Sequence, residues 1–257
     1  MLKWCSDCQQ FMGEVPEFLD FTITHGLCSN CHITRRQPAN LDLTHARVLK
    51  GIQRKLWNAG HRNDLQAAAD IIANDAAKAN VRPVDVLIGI IAPLLYQIGE
   101  RWKRGTLSVE GEHRFTAFCE KVIDLIEAQS EPLASRAEGE NGILLTNAPG
   151  NRHTLAIKIL DLWLASRGRR ARIVDVQLNL GPLLDHIRTI PSKILLISMS
   201  LVEQTGAVKE IVKQVANLPK PVRPRVVIGG HAVKLGLVAP INGADLMSDI
   251  STLAEHL

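Results

Sequence analysis

Four of the five cysteines in this chain lie within its first 31 residues, at a spacing that suits metal chemistry. Cys5, Cys8, Cys28 and Cys31 read Cys-x-x-Cys, nineteen intervening residues, Cys-x-x-Cys, the spacing of a zinc knuckle or ribbon. Two such turns can place four thiolates around one tetrahedral ion. Zinc and an iron–sulfur cluster draw on the same ligands, and the spacing does not choose between them. Cys28-x-x-Cys31-His32 also spells the c-type haem attachment pattern, a reaction normally carried out beyond the cytoplasm. Met1–Cys5 opens no apolar run of signal-peptide length, so the expected setting is cytoplasmic, where cysteines serve as metal ligands or free thiols rather than disulfides. Between the two knuckles Phe11, Val15, Phe18, Leu19, Phe21 and Ile23 offer too little apolar surface to fold without a staple, and a metal would supply one. Cys119 follows Phe118 inside a helical pattern and reads as a buried core thiol.

Other chemistry is sparse. Ser/His/Asp nucleophile sets, phosphate loops and paired carboxylates do not stand out, Gly150-Asn-Arg-His-Thr is not a Walker loop, and Gly229-Gly230 lacks the spacing of a dinucleotide fingerprint. An enzyme acting alone is not expected. Thirty Lys and Arg against 26 Asp and Glu leave a charge of +4 that is spread along the chain, so direct nucleic-acid binding is not indicated. The densest basic stretches, Arg167–Arg172 and Lys220–Arg225, read as solvated loops or helix ends. The longest apolar stretch, Val84–Ile98, is interrupted by Asp85, Pro93 and Gln97, and no membrane span is expected.

The elements that must position these groups fall into three segments, with boundaries at 1–36, 41–130 and 140–257. Arg35–Asn40 and Glu131–Asn141 read as linkers. Leu43, Ala46, Leu49, Ile52 and Leu56 recur at helical spacing, with Thr44 as an N-cap and Gly60 as a stop. Asp64 can cap a second helix through Ala79, Pro83 opens a third that runs to Lys103, and Val109–Ala128 makes a fourth. Four helices joined by short loops imply an antiparallel bundle. Beyond the second linker the period changes. Short apolar runs at Gly142–Asn147, Arg172–Val176, Lys193–Ser200, Arg225–Gly230 and Ala244–Leu246 alternate with helical stretches. The fold class is therefore α/β: a four-helix bundle cap followed by a Rossmann-like, flavodoxin-like parallel-sheet domain, with a small cysteine-rich module in front. In such sheets ligands gather outside the carboxyl ends of the strands.

Those strand ends read Asn147-Ala-Pro-Gly-Asn151-Arg-His153-Thr, Ser198-Met-Ser200-Leu201 and Gly229-Gly230-His231. In order and position they resemble the cobalamin-binding domain family, whose pattern is Asp-x-His-x-x-Gly after the first strand, Ser-x-Leu after the third and Gly-Gly after the fourth. Asn151 stands where the family has its acid, and Ala156 where it has its glycine. The resemblance implies that His153 is the lower axial ligand, that Ser198 and Ser200 line the pocket of the nucleotide tail, and that Gly229 and Gly230 form its wall. Asn151 can still accept a hydrogen bond from the imidazole, though without the negative charge that raises ligand basicity.

The helical segment adds to the likeness. Gly99-Glu-Arg-Trp102-Lys-Arg-Gly105, followed by Val109-Glu-Gly-Glu112-His113, is similar to the helical cap of the cobalamin photoreceptors and antirepressors, in which a Trp and a Glu-His pair face the upper side of the corrin. His61 and Asp64 suit the start of its second helix. Lys103 occupies the place where light-sensing members carry a further histidine. The likeness implies a cobalamin-binding, light- or redox-responsive regulator that controls transcription through a protein partner such as a transcription factor or signalling protein. The form of cobalamin is left open, and a homo-oligomer is compatible with it. A haem-binding variant of the same sensor fold and a corrinoid carrier for methyl transfer are the alternatives. His25-Gly-x-Cys28-x-x-Cys31 resembles a short cysteine module found beside sensor domains of bacterial signalling proteins.

Overall fold

A computed structural model describes residues 1–34, 44–129, 142–176, 179–190 and 192–253, and divides the chain into two compact units, Met1–Pro132 and Leu133–Leu257. Both expected linkers lie outside the described residues.

The first unit joins the cysteine segment to the helices. Strands β1 (Leu2–Cys5), β2 (Phe11–Glu14) and β3 (Ile23–Gly26) form a sheet in the order β2-β1-β3, with β2 antiparallel and β3 parallel to β1. A short helix, α1 (Ser29–Thr34), follows the second knuckle. The helices are α2 (Thr44–Arg62), α3 (Leu65–Asp70) widening into a π turn at Ile71–Ala76, α4 (Pro83–Val86) running through a second π turn at Leu87–Ile91 into α5 (Ala92–Lys103), and α6 (Val109–Gln129). Two expected punctuation marks hold: the Asp64 side chain accepts the Ala67 N–H at 2.9 Å as an N-cap, and Pro83 opens α4. Gly60 does not stop its helix. It lies inside α2, where the Phe115 ring of α6 packs so closely that no Cβ would fit.

Leu49, Ile52 and Leu56 of α2, Leu94 and Ile98 of α5, and Phe118, Val122 and Ile126 of α6 are all buried at helical spacing, and form the core of this unit. Among the described residues, Pro83–Lys103 is the one helix long and apolar enough to cross a membrane, and most of its apolar stretch is buried inside the unit. Cys119 is fully buried in α6, and burial pushes its thiol up to about 12, as suits a core group.

The second unit is a five-stranded, all-parallel sheet in the order β5-β4-β6-β7-β8, from β4 (Ile143–Asn147), β5 (Ala171–Ile173), β6 (Ile194–Ser198), β7 (Arg225–Gly229) and β8 (Ala244–Leu246). Helices α7 (Thr154–Ala165), α8 (Gly181–Thr189), α9 (Thr205–Ala216) and α10 (His231–Lys234) alternate with the strands, and α11 (Ile250–Leu253) follows the last. Leu144, Leu195, Ile197, Val226 and Ile228 pack on one face with Leu183, Val208, Ile211 and Val233, while Ile143, Leu145, Leu196 and Val227 are buried on the other. Burial on both faces explains why the central strands read as unbroken apolar runs. The chain reverses direction across the sheet between β4 and β6, the switch point at which a parallel sheet opens a crevice.

Candidate functional site

The cysteine centre is assembled by three short elements. Cys5 ends β1, Cys8 follows in the turn before β2, Cys28 closes the loop after β3 and Cys31 lies in α1. Their Sγ atoms all lie within 4.8 Å of one another, and Cys8 and Cys28 are 3.7 Å apart. A tetrahedral ion with Zn–S bonds of about 2.3 Å would hold its sulfurs about 3.8 Å apart, so the set is close to that of a single ion. Backbone groups complete it: the Cys28 N–H donates to Cys5 Sγ at 3.4 Å and the Cys31 N–H to Cys28 Sγ at 3.5 Å. Burial raises the Cys5 thiol, but backbone N–H groups of Cys28, Cys8 and Asp7 outweigh it and bring it down to about 7. Cys31 is pushed up by its contact with the Cys28 thiol and by burial, and Cys8 by burial. Four sulfurs this close cannot all be anionic unless a cation lies among them, and that is the chemistry a metal provides.

The helical corner between α5 and α6 holds the other sequence-selected groups of the first unit. Trp102 stands near the end of α5, half exposed. Glu112 and His113 lie in the first turns of α6, with His113 Nε2 at 3.6 Å from Glu112 Oε2. The Thr116 hydroxyl donates to Glu112 Oε1 at 2.8 Å and orients the carboxylate, leaving the imidazole exposed. Thr116 is a positioning residue that the sequence reading missed, although its spacing of four from Glu112 on one helix face is the signal that marks it. Lys103 leans toward Glu100, its Nζ 3.9 Å from Oε1.

In the second unit the structure brings Asn151, His153, Ser198, Ser200, Gly229 and Gly230 to the carboxyl ends of β4, β6 and β7. Asn151 is buried, and its side chain is fully engaged. Nδ2 donates to Asn147 Oδ1 at 3.1 Å and to the Ser198 carbonyl at 3.0 Å, while Oδ1 accepts the backbone N–H of His153 at 3.1 Å. Asn151 is thus tied to the His153 backbone directly before α7. An amide can donate to two facing oxygens and a carboxylate cannot, which gives the asparagine a reason of its own. His153 itself is exposed, immediately before the first turn of α7.

Ser198 is buried at the end of β6, and the Ser200 and Leu201 N–H groups both donate to the buried Gln204 side chain, at 3.0 and 3.1 Å. Gln204 and Asn147 thus shape the loops without having stood out in the sequence. Gly230 has φ of +108°, and a Cβ there would overlap the Met199 carbonyl and lie 2.9 Å from its nitrogen. Only glycine lets the β7 loop lie against the β6 loop in this way. Gly229 is less confined, its nearest neighbour being the Met247 carbonyl at 3.4 Å.

These observations meet the comparisons with known proteins. Residues 52–127 match the B12 binding domain family. The match falls on α2 to α6, so the helical bundle carries the family signal. The chain is similar in fold to the monomethylamine corrinoid protein of Methanosarcina barkeri, with a TM-score of 0.63 and 12% identity over 83% of this chain and 97% of that one. Lower scores relate it to a cobalamin-binding protein of Desulfitobacterium hafniense (TM-score 0.40, 16% identity, 80% and 97% covered). They also relate it to a methanol:cobalamin methyltransferase complex of Methanosarcina barkeri (TM-score 0.37, 11% identity, 88% and 87% covered). Among curated protein sequences, none matches the chain.

Proposed function

We propose that this protein binds a cobalamin and acts as a regulator through a protein partner, with light or redox state as the signal. The carrying observation is the cluster of His153, Ser198 and the Gly229–Gly230 pair at the switch-point end of a parallel sheet, in a chain whose helices match the B12 binding domain family. His153 would hold the cobalt through an imidazole nitrogen, a role suited to a neutral imidazole. The close-packed glycine loop leaves backbone against which the nucleotide tail can lie. When bound, the cobalamin supplies the cobalt–carbon chemistry that light or reductant can act on, and the chain supplies the ligand and the slot.

A methyl carrier is the second reading, favoured by the fold shared with the monomethylamine corrinoid protein. Against it stands Asn151. A carrier profits from a carboxylate that tunes its lower ligand, and here the residue in that place is occupied by Asn147, Ser198 and the His153 backbone. For the cysteines, the sulfur separations support a single zinc ion rather than a multi-iron cluster, whose thiolates are spread over several metals.

The test is absorbance of the full chain after loading with hydroxocobalamin, methylcobalamin or adenosylcobalamin and gel filtration. Retention of a corrin spectrum, altered in His153→Ala with affinity lower by at least about tenfold, is expected. His153 is exposed, so the variant should fold normally. A light-dependent change in the hydrogen exchange or oligomeric state of the adenosylcobalamin-loaded chain supports regulation, and methyl transfer from the methylcobalamin form to an added thiol acceptor supports the carrier. Failure to retain any corrin overturns both.

A further inference from the structure

The cysteine segment meets the helices at the beginning of one long helix. Trp4 immediately precedes Cys5 and Phe11 follows Cys8 by three residues, so two buried aromatic anchors flank the first knuckle. Their rings meet edge to face with centroids 5.3 Å apart and lie on Gly89, in the π turn Leu87–Ile91. A Cβ on Gly89 would overlap the Trp4 ring and come within 2.8 Å of Phe11 Cδ2. Four residues earlier Asp85, only 1% exposed, accepts the Phe11 N–H at 3.2 Å and holds Arg82 through two bonds of 2.6 and 3.0 Å. The Arg82 charge is favoured first by Asp85 and also by Cys8 and Cys28, which places the guanidinium within electrostatic reach of the sulfurs. The Trp4 indole Nε1 is buried with no acceptor among the described residues, so the seat fits in shape while leaving a donor unpaired.

We propose that metal occupancy of the four-cysteine centre governs the docking of residues 1–34 on the Leu87–Ile91 turn, making the centre a regulatory input to the helix that carries Trp102. The inference rests on the assignment of a metal to these cysteines. With the metal in place, the first knuckle holds Trp4 and Phe11 at the separation that Gly89 accepts, and Arg82 offsets the negative charge of the thiolates. Without it, nothing ties the two knuckles together, the anchors lose their spacing, and Asp85 loses the Phe11 N–H. The π turn and α5 belong to one continuous helix, which carries Trp102 thirteen residues, or about 20 Å, beyond Gly89.

The experiment loads the full chain with zinc, measures retained zinc, and follows amide hydrogen exchange before and after EDTA in wild type, Gly89→Ala and Gly51→Ala. The last is a control, since nothing lies within 4 Å of a Cβ at that site in α2. EDTA should deprotect residues 1–34 and 87–91 together while α6 stays protected. Gly89→Ala, with its helical circular dichroism intact, should retain zinc at least about tenfold less tightly in chelator competition, and Gly51→Ala should not. Deprotection confined to residues 1–34, or unchanged zinc affinity in Gly89→Ala, overturns the coupling alone. No retained zinc in the wild type overturns the metal assignment and the coupling with it. If Gly89→Ala fails to fold, Phe11→Ala replaces it with the same expected loss of zinc affinity.

Discussion

The cysteine centre and the strand-end cluster of the second unit, the two places proposed here for a metal-bearing ligand, are prepared to very different degrees. Around the cysteines the protein supplies everything: four sulfurs within 4.8 Å, backbone N–H donors aimed at them, and two aromatic anchors flanking the first knuckle. At the strand ends it supplies one exposed imidazole and a framework of loops braced by Asn151, Gln204 and Gly230. The proposed ligands account for the difference. A bare ion contributes charge alone, so its entire shell must come from the chain. A corrin already carries its equatorial nitrogens, and the chain need add only an axial donor and a surface for the tail.

The strongest way to break this comparison is at the cysteines. Cys31→Ser should abolish zinc retention and unfold residues 1–34, because structural zinc supplies on the order of 10 kcal/mol to small cysteine modules. Zinc stoichiometry and proteolysis of the N-terminal segment check this. A variant that still holds zinc and resists protease would show that the module stands on its own packing.

At the strand ends the framework should matter more to stability than the ligand does. Gly230→Ala should cost about 1–3 kcal/mol in denaturant unfolding, because the positive φ and the overlap with Met199 cannot both be relieved. Gly229→Ala should cost clearly less, and equal costs would remove the distinction between the two glycines.

A smaller effect tests the brace. Asn151→Asp should destabilise by about 1–2 kcal/mol at neutral pH, since a carboxylate would face Asn147 Oδ1 and the Ser198 carbonyl with nothing to donate. Burial and those oxygens would push the new carboxyl above its unfolded value, so the folded state would bind the proton more tightly. The destabilisation should therefore shrink as pH falls and be largest above the raised pKa. Urea titrations at several pH values measure it, and a loss independent of pH would contradict the brace.

Much of this architecture was legible before any coordinates. The cysteine spacing marked the centre, the five apolar runs marked the five strands in order, and Asp64 and Pro83 marked helix starts by rules that act over one turn. Gly60 misled the reading, because a glycine that ends a helix and a glycine that admits a neighbouring aromatic ring look alike in one dimension. Asn151 was legible only in part. Its place in the motif pointed to the imidazole, but its partners Asn147 and Ser198 come from two strand ends, one of them 47 residues away.

What the amino-acid order determined by itself was local and periodic: which segments are helices or strands, which cysteines can share an ion, and which loops carry the polar and glycine residues. Only the tertiary structure decided that the cysteine segment is seated on Gly89 and Asp85 rather than tethered in front of the bundle, and that the asparagine braces two strand ends. Those outcomes depend on surfaces brought together from distant parts of the chain, where close packing and the pairing of every buried polar group select the partner, and no short-range pattern encodes that choice.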